Sequence, residues 1–293
     1  MNTEQILVEN GLDFTISKRP LFDGDSNPSG YFGLYNDGLN KCINTVKEGY
    51  TISQNKDIVD MVLQGIKPFG GELSVSKAGS MNEGRKVYLQ LGIEGNGKIN
   101  GDTIKRYITI IDSNDGSTSL SIGIGDLTMS CQNQFFKFYK QGEAKFRHSA
   151  SLEHRIKEIP SLIETALSQS LRQIELYETF ASTEITRDLA HEMVKYLLGF
   201  DKEITSVATL SEKSTRSINK METLYNSIER EINDKGLNLW GLHSGVTHFT
   251  THELSAPKRT NGKLETIMLG SGYNMNQSSL EFVTRKSGIL ELV

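Results

Sequence analysis

A chain of 293 residues with 37% hydrophobic residues, 23% charged residues and only five prolines has a folded composition, which excludes a disordered tail or linker. No apolar run approaches the roughly 20 residues of a membrane span, the first twelve residues are polar and acidic rather than laid out as a signal peptide, and two cysteines without CxxC spacing argue against a disulfide framework, so a reducing cytoplasm is the expected location. A formal net charge of −4 argues against a protein that coats nucleic acid with its whole surface, and leaves room for a local basic stripe.

The first half reads as β-structure. Residues 12–16 alternate, and residues 42–52 carry Ile43, Val46, Tyr50 and Ile52 on a predicted strand. Residues 23–40, rich in Gly, Asn, Asp and Ser, are expected to be loop. Asn55 or Asp57 caps a predicted helix over Ile58, Val59, Met61, Val62 and Leu63, stopped by Gly65 and Pro68. Leu73-Ser74-Val75 and residues 87–93 form a predicted hairpin around a turn at 79–84. Val87, Leu89, Leu91 and Ile93 face one way, and Lys86, Tyr88 and Gln90 the other. After a turn over 95–101, strands are predicted at 103–111 and 118–124. In the second, Leu120, Ile122 and Ile124 alternate with Ser119, Ser121 and Gly123. Short strands joined by tight turns point to an antiparallel meander.

From Cys131 the pattern becomes mostly helical, starting with a short aromatic helix over the Phe135–Tyr139 run. Leu152, Ile156, Ile159, Ile163, Leu167, Leu171, Ile174 and Tyr177 then recur at three- and four-residue steps, with Pro160 as a kink or first-turn residue. A second helix over 189–198 is closed by Gly199. Ile218, Met221, Leu224, Tyr225, Ile228 and Ile232 mark a third, ending near Gly236. Residues 264–269 and 279–283 read as short β-like pieces able to rejoin the first sheet. The expected class is therefore α+β: a β-rich region at 1–130, a helical region at 131–255 and a C-terminal β-like segment at 256–293, integrated in one domain.

The chemistry concentrates at residues 113–157. Ser113-Asn114-Asp115-Gly116-Ser117 joins two predicted strands, and Asp-Gly there is a preferred hairpin turn. Cys131-Gln132-Asn133 precedes Phe135, Phe136, Phe138 and Tyr139, and Lys145-Phe146-Arg147-His148 follows. Together with Gly49-Tyr50-Thr51-Ile52-Ser53-Gln54-Asn55 upstream, this ordered set resembles the phage/plasmid-like protein family, catalogued as domain of unknown function 932. The matching elements are the Tyr-containing strand, the Ser-x-Asp-Gly-Ser turn, the Cys-x-Asn step and the Arg-His pair; residues 239–252 resemble the family's later Trp-containing segment. Asn114 stands where relatives often carry His, and Thr128 where many carry Arg. The resemblance implies carriage by a phage, prophage or plasmid.

Between Cys131 and Lys157, Lys137, Lys140, Lys145, Arg147, Arg155 and Lys157 outnumber Glu143 and Glu153 by four, with aromatic residues interleaved. Cations meeting phosphates and rings stacking on bases suit flexible single strands. The first expectation is therefore a single-stranded DNA- or RNA-binding homo-oligomer that anneals or protects strands in recombination or replication. Lys137, Lys140, Lys145, Arg147 and Arg155 would meet phosphates, and Tyr139 and Phe146 would stack. The structural alternative is that the phenylalanines are core and the lysines a solvated face. A second expectation is a metal-dependent hydrolase of nucleic acid or nucleotide, with Asp115 and His148 catalytic and His248 and His252, four residues apart, as metal ligands. His248-x-x-x-His252 is not HExxH, no Walker A motif is present, and no cofactor is implied.

Overall fold

The computed structural model describes residues 2–115, 117–138, 158–199 and 215–288, and residues 145–146 by their backbone. Helix α1 (Thr3–Glu9) is capped by Asn2, whose side chain accepts the Gln5 N–H at 2.8 Å. Three antiparallel strands follow, β1 (Ile16–Phe22), β2 (Pro28–Asn36) and β3 (Lys41–Lys47), in the order β1-β2-β3. Residues 23–40 are thus not all loop. β2 is the central strand, and its glycines conceal an alternation that puts Leu34 into a small core with Ile16, Ile43 and Val46.

Helix α2 (Asn55–Ile66) covers the predicted apolar residues, but its N-cap is Gln54, without a side-chain cap hydrogen bond, and not Asn55 or Asp57, because the Asn55 amide is engaged by the Leu12 and Phe14 carbonyls. The helix leads through a 3-10 turn into the main sheet. Its strands are β4 (Leu73–Met81), β5 (Lys86–Ile93), β6 (Gly97–Ile99), β7 (Asp102–Ser113), β8 (Leu120–Thr128), β9 (Gln134–Phe138) and β10 (Lys145–Phe146). The path is β10-β8-β7-β5-β4, all antiparallel; β6 continues β5 along one edge of β7, and β9 lies beside β10 along the free edge of β8. The meander expected from alternation is the backbone of the fold.

One face of this sheet, carrying Val87, Leu89, Leu91, Ile108, Ile110, Leu120, Ile122 and Ile124, packs on α1, α2 and the start of α3 (Ile159–Ser182). Pro160 sits in the first turn of α3, where its missing N–H costs nothing. A second core joins α3 to α4 (Arg187–Leu198), α5 (Thr215–Lys235) and α6 (Leu239–His248) around Tyr177, Phe180, Ile228 and Trp240. Gly199 ends α4 in the left-handed conformation, φ 70°. Helices α5 and α6 cross closely because Gly245 has no side chain: a Cβ there would lie 2.3 Å from the Ile228 Cα.

Two expectations are corrected. The aromatic run after Cys131 is strand β9, not a helix. Both faces of the sheet are covered there, so Phe135 enters the helical core while Phe136 and Phe138 pack on the opposite face, and a strand can be apolar at every such position. Residues 264–269 and 279–283 are helical rather than β-like and do not rejoin the sheet. After a π-helical turn (Phe249–Glu253), residues 262–286 form α7 (Gly262–Leu269) and α8 (Ser271–Lys286). Met275, Ser279, Leu280, Phe282 and Val283 are buried at helical spacing, which a short apolar run does not reveal by itself. Among the described residues no helix is long and apolar enough to cross a membrane.

Helix α8 also protects an edge. Outward-facing backbone groups of β9 are taken up by side chains: Gln277 donates to the Phe136 carbonyl (2.7 Å), and Tyr273 Oη and Thr251 Oγ1 accept the N–H groups of Phe138 and Gln134.

Candidate functional site

The hairpin β4–β5 starts its return strand at Lys86, which pairs with Ser113 and points away from the Val87 face. That direction buries an amino group with 8% of its side chain exposed, and it must be answered by carboxylates. Lys86 Nζ lies 3.0 Å from Asp115 Oδ2 and 2.8 Å from Glu265 Oε1 of α7. Arg259 closes the chain, its Nη2 2.7 Å from Glu265 Oε2. The loop before α7 is held there because Asn261 Nδ2 donates to the Ser80 carbonyl (2.7 Å) and Asn82 N–H to the Thr260 carbonyl (3.2 Å).

The turn at 113–117 is therefore both a hairpin turn and a charge anchor. Ser113 Oγ donates to the Thr118 carbonyl (2.5 Å) and accepts the Thr118 N–H (3.1 Å), while Asp115 Oδ1 accepts the Ser117 N–H (2.9 Å). Burial pushes the Asp115 carboxyl up, but the hydrogen bonds from Ser117 and Lys86 prevail and hold it below its usual range. Beside this network opens a cleft of about 590 Å³ between the sheet, the 255–259 loop and helices α7 and α8. Phe138, Met268 and Tyr273 give it apolar walls; Ser117, Thr118, Ser121 and Asn274 give it polar edges.

The motif at 49–55 packs against the same turn from the other side. Tyr50 Oη donates to the Ser113 carbonyl at 3.4 Å, and burial, then Asp112 and Asp115, push its phenol well above the usual value. The Gln54 side chain pairs with both backbone groups of Ile16, and Asn55 Nδ2 donates to the Leu12 and Phe14 carbonyls. Gln54 and Asn55 thus tie the chain entering β1 to α2. Asn114 is fully buried, yet among the described residues neither amide atom has a hydrogen-bond partner. An unsatisfied buried amide costs about 1–3 kcal/mol. Asn114→Leu is accordingly expected to raise the urea midpoint, by about 1 kcal/mol of stability, and a lower midpoint would show that the amide is used.

The Cys-x-Asn step is a latch. Asn133 Nδ2 donates to the Ser244 carbonyl of α6 at 3.2 Å. His252 Nε2 lies 3.0 Å from the Cys131 carbonyl and 3.2 Å from Asn133 Oδ1; both are acceptors, so this nitrogen carries the proton. Burial raises the Cys131 thiol, the opposite of what activates a nucleophile. His248 and His252 do share a face, with ring centroids 4.8 Å apart. Burial, with His252 and Arg230, pushes His248 down to about 4. Buried His243, 2.8 Å from Ser279 Oγ and packed by Phe135, Tyr177, Phe180 and Trp240, is pushed down to about 3. Among the described residues no group of three His, Cys, Asp or Glu side chains is placed to hold a metal ion.

Of the predicted nucleic-acid contacts, Lys137 is half-buried on β9, and Phe135, Phe136 and Phe138 are core residues rather than a stacking platform. Lys145 and Phe146 form β10, in register with Ser121 and Leu120. Tyr139, Lys140, Arg147, His148 and Arg155 lie outside the described residues. Sequence reasoning missed Lys86, Arg259 and Glu265 altogether. Lys86 and Glu265 are 179 positions apart, and the only local signal was a lysine on the non-apolar face of an alternating strand.

The family model described as "Domain of unknown function (DUF932)" matches residues 42–269. No curated protein and no solved structure matches the chain. The matched span takes in the Tyr50 motif, the 113–117 turn, the Cys131–Asn133 latch and Glu265, and ends at α7, so the α8 wall of the cleft lies beyond it. The chain belongs to the DUF932 family.

Proposed function

We propose that this protein binds single-stranded nucleic acid, as a phage- or plasmid-encoded homo-oligomer that anneals or protects strands in the cytoplasm of its host. The observation that supports this reading is the register of β10: Lys145 stands opposite Ser121, one of the polar residues lining the cleft. The segment of the sequence with a basic excess therefore joins the sheet beside a residue of this cleft. Lys137, on β9 along the same edge of β8, alternates to the face opposite Phe138, so Lys145 is the described lysine of the basic segment that stands beside the cleft. A local cation can meet a phosphate without requiring a basic protein overall. The hydrolase reading receives less support, because Asp115 already gives one carboxylate oxygen to Lys86 and the other to Ser117.

Fluorescence polarisation of a labelled single-stranded oligonucleotide, titrated over a range of salt, tests the proposal. Each phosphate contact contributes about 0.7 to the slope of log affinity against log salt. Lys145→Ala with Arg147→Ala is expected to weaken binding and lower that slope by about 1.4. Absence of binding at low salt, or an unchanged affinity and slope in the double variant, would reject it.

A further inference from the structure

We propose that the cleft between the sheet and helices α7 and α8 takes up one unstacked nucleobase of the bound strand, an inference that rests on the nucleic-acid reading above. Its volume, about 590 Å³, is in the range of sites that enclose a small organic ligand. The charges at its wall select the kind of ligand. Lys86, Arg259 and Glu265 line it, and Asp115, which does not, pairs with Lys86, so the four formal charges cancel. A phosphate placed inside would gain little from the paired cations and would be repelled by Glu265. The interior therefore favours an uncharged group with polar edges.

A nucleobase has that character, with two apolar faces and an edge of donors and acceptors. Half-buried Tyr273 offers apolar surface to one face, backed by the buried Phe138 ring, centroids 5.9 Å apart. Exposed Ser117 and Asn274 offer hydroxyl and amide groups to the edge. Phosphates would stay outside, where the register places Lys145 beside Ser121. This division of labour also produces strand selectivity: a base inside a duplex has its edge paired and its faces stacked, and cannot enter without being extruded.

Asn274 is exposed on the first turn of α8 and lines the cleft, so Asn274→Trp should narrow the cleft without disturbing the core; an unchanged melting temperature verifies this. Two oligonucleotides of equal length are compared, one intact and one with a run of abasic sites. The wild type is expected to bind the intact strand about tenfold more tightly, and Asn274→Trp to lose most of that preference. If both proteins bind both strands equally well, the base pocket is refuted and the nucleic-acid reading stands. If neither protein binds any oligonucleotide at low salt, the nucleic-acid reading fails. The cleft is then decided by titrating the four free nucleosides and following the amide resonances of Phe138 and Tyr273. Shifts in the wild type that Asn274→Trp abolishes retain a nucleoside site, and no shifts overturn it.

Discussion

Lys86→Met is expected to destabilise the protein by about 3 kcal/mol, read as a fall in the urea midpoint at unchanged slope. Methionine preserves the length of the side chain and most of its apolar packing, so the loss isolates the ammonium. Without it, Asp115 and Glu265, each with about 10% of its side chain exposed, share a buried region with no cation between them. Breaking a buried pair costs about 3–5 kcal/mol, and the lower end applies because each carboxylate keeps another partner. Asp115 retains the Ser117 N–H, and Glu265 retains Arg259. Asp115→Asn in the Lys86→Met background should restore part of the loss, because it removes one of the two stranded charges. Additive effects of the two substitutions would show that Lys86 and Asp115 do not interact.

Asp126→Asn is expected to stabilise the protein by an amount that grows as pH rises from about 4 to about 7. Asp126 lies on the β8 face covered by α3 and is 5% exposed. Oδ2 accepts from Tyr177 Oη at 3.0 Å, while Oδ1 has no hydrogen-bond partner. Burial pushes its carboxyl up to about 7, from the usual 3.8, despite the hydrogen bond from Tyr177 and the nearby Arg106 charge. The folded state thus holds the proton more tightly than the unfolded state does. The resulting stability is fully present below about pH 4 and is lost as pH rises through about 7. Ionised Asp126 therefore carries a penalty on the order of 4 kcal/mol at alkaline pH. Asparagine keeps an acceptor for Tyr177 and cannot ionise. The stability difference between variant and wild type should therefore be small near pH 4 and grow to several kcal/mol near pH 8. His243 and His248, held neutral by burial, work in the opposite sense: their contribution is lost as pH falls below the usual 6.5 of histidine. Both proteins share them, so they cancel in the difference. A difference that does not change with pH would mean that Asp126 is already ionised across the range.

These two groups also show what could be read in advance. Lys86 was assigned to the non-apolar face of its strand, and Ile124 and Ile122 to the apolar one, because strand alternation is a local property with a period of two. The partners of that lysine were not legible. Glu265 lies in a segment whose apolar residues read equally well as strand or helix, and nothing in its neighbourhood marks it as the answer to a charge 179 positions away. The same limit applies to Asp126, which closes an alternating strand and acquires its perturbed carboxyl only when Tyr177 of α3 covers it.

Residues near the turn at 113–117 were identified correctly as a junction, but for an incomplete reason. Asp-Gly between strands predicts a tight turn, whereas β7 ends at Ser113 and β8 begins at Leu120, a longer connection; that Asp115 anchors Lys86 follows from the adjacent strand, not from the motif. His252 looked like half of a metal pair and proves to donate to Cys131 and Asn133, a role that requires the β8–β9 turn to reach the end of α6.

By itself the sequence determined the α+β class, the order of the meander strands, the span of α2 and the stop at Gly199, since periodicity and left-handed glycine act over a few residues. Only the tertiary structure decided that the aromatic run is a strand, that residues 264–269 and 279–283 are helical, and that a neutral, partly apolar cleft lies beside the basic segment. Each of these depends on burial from both sides or on charges meeting across the fold, and such terms outweigh local propensity without leaving a local trace.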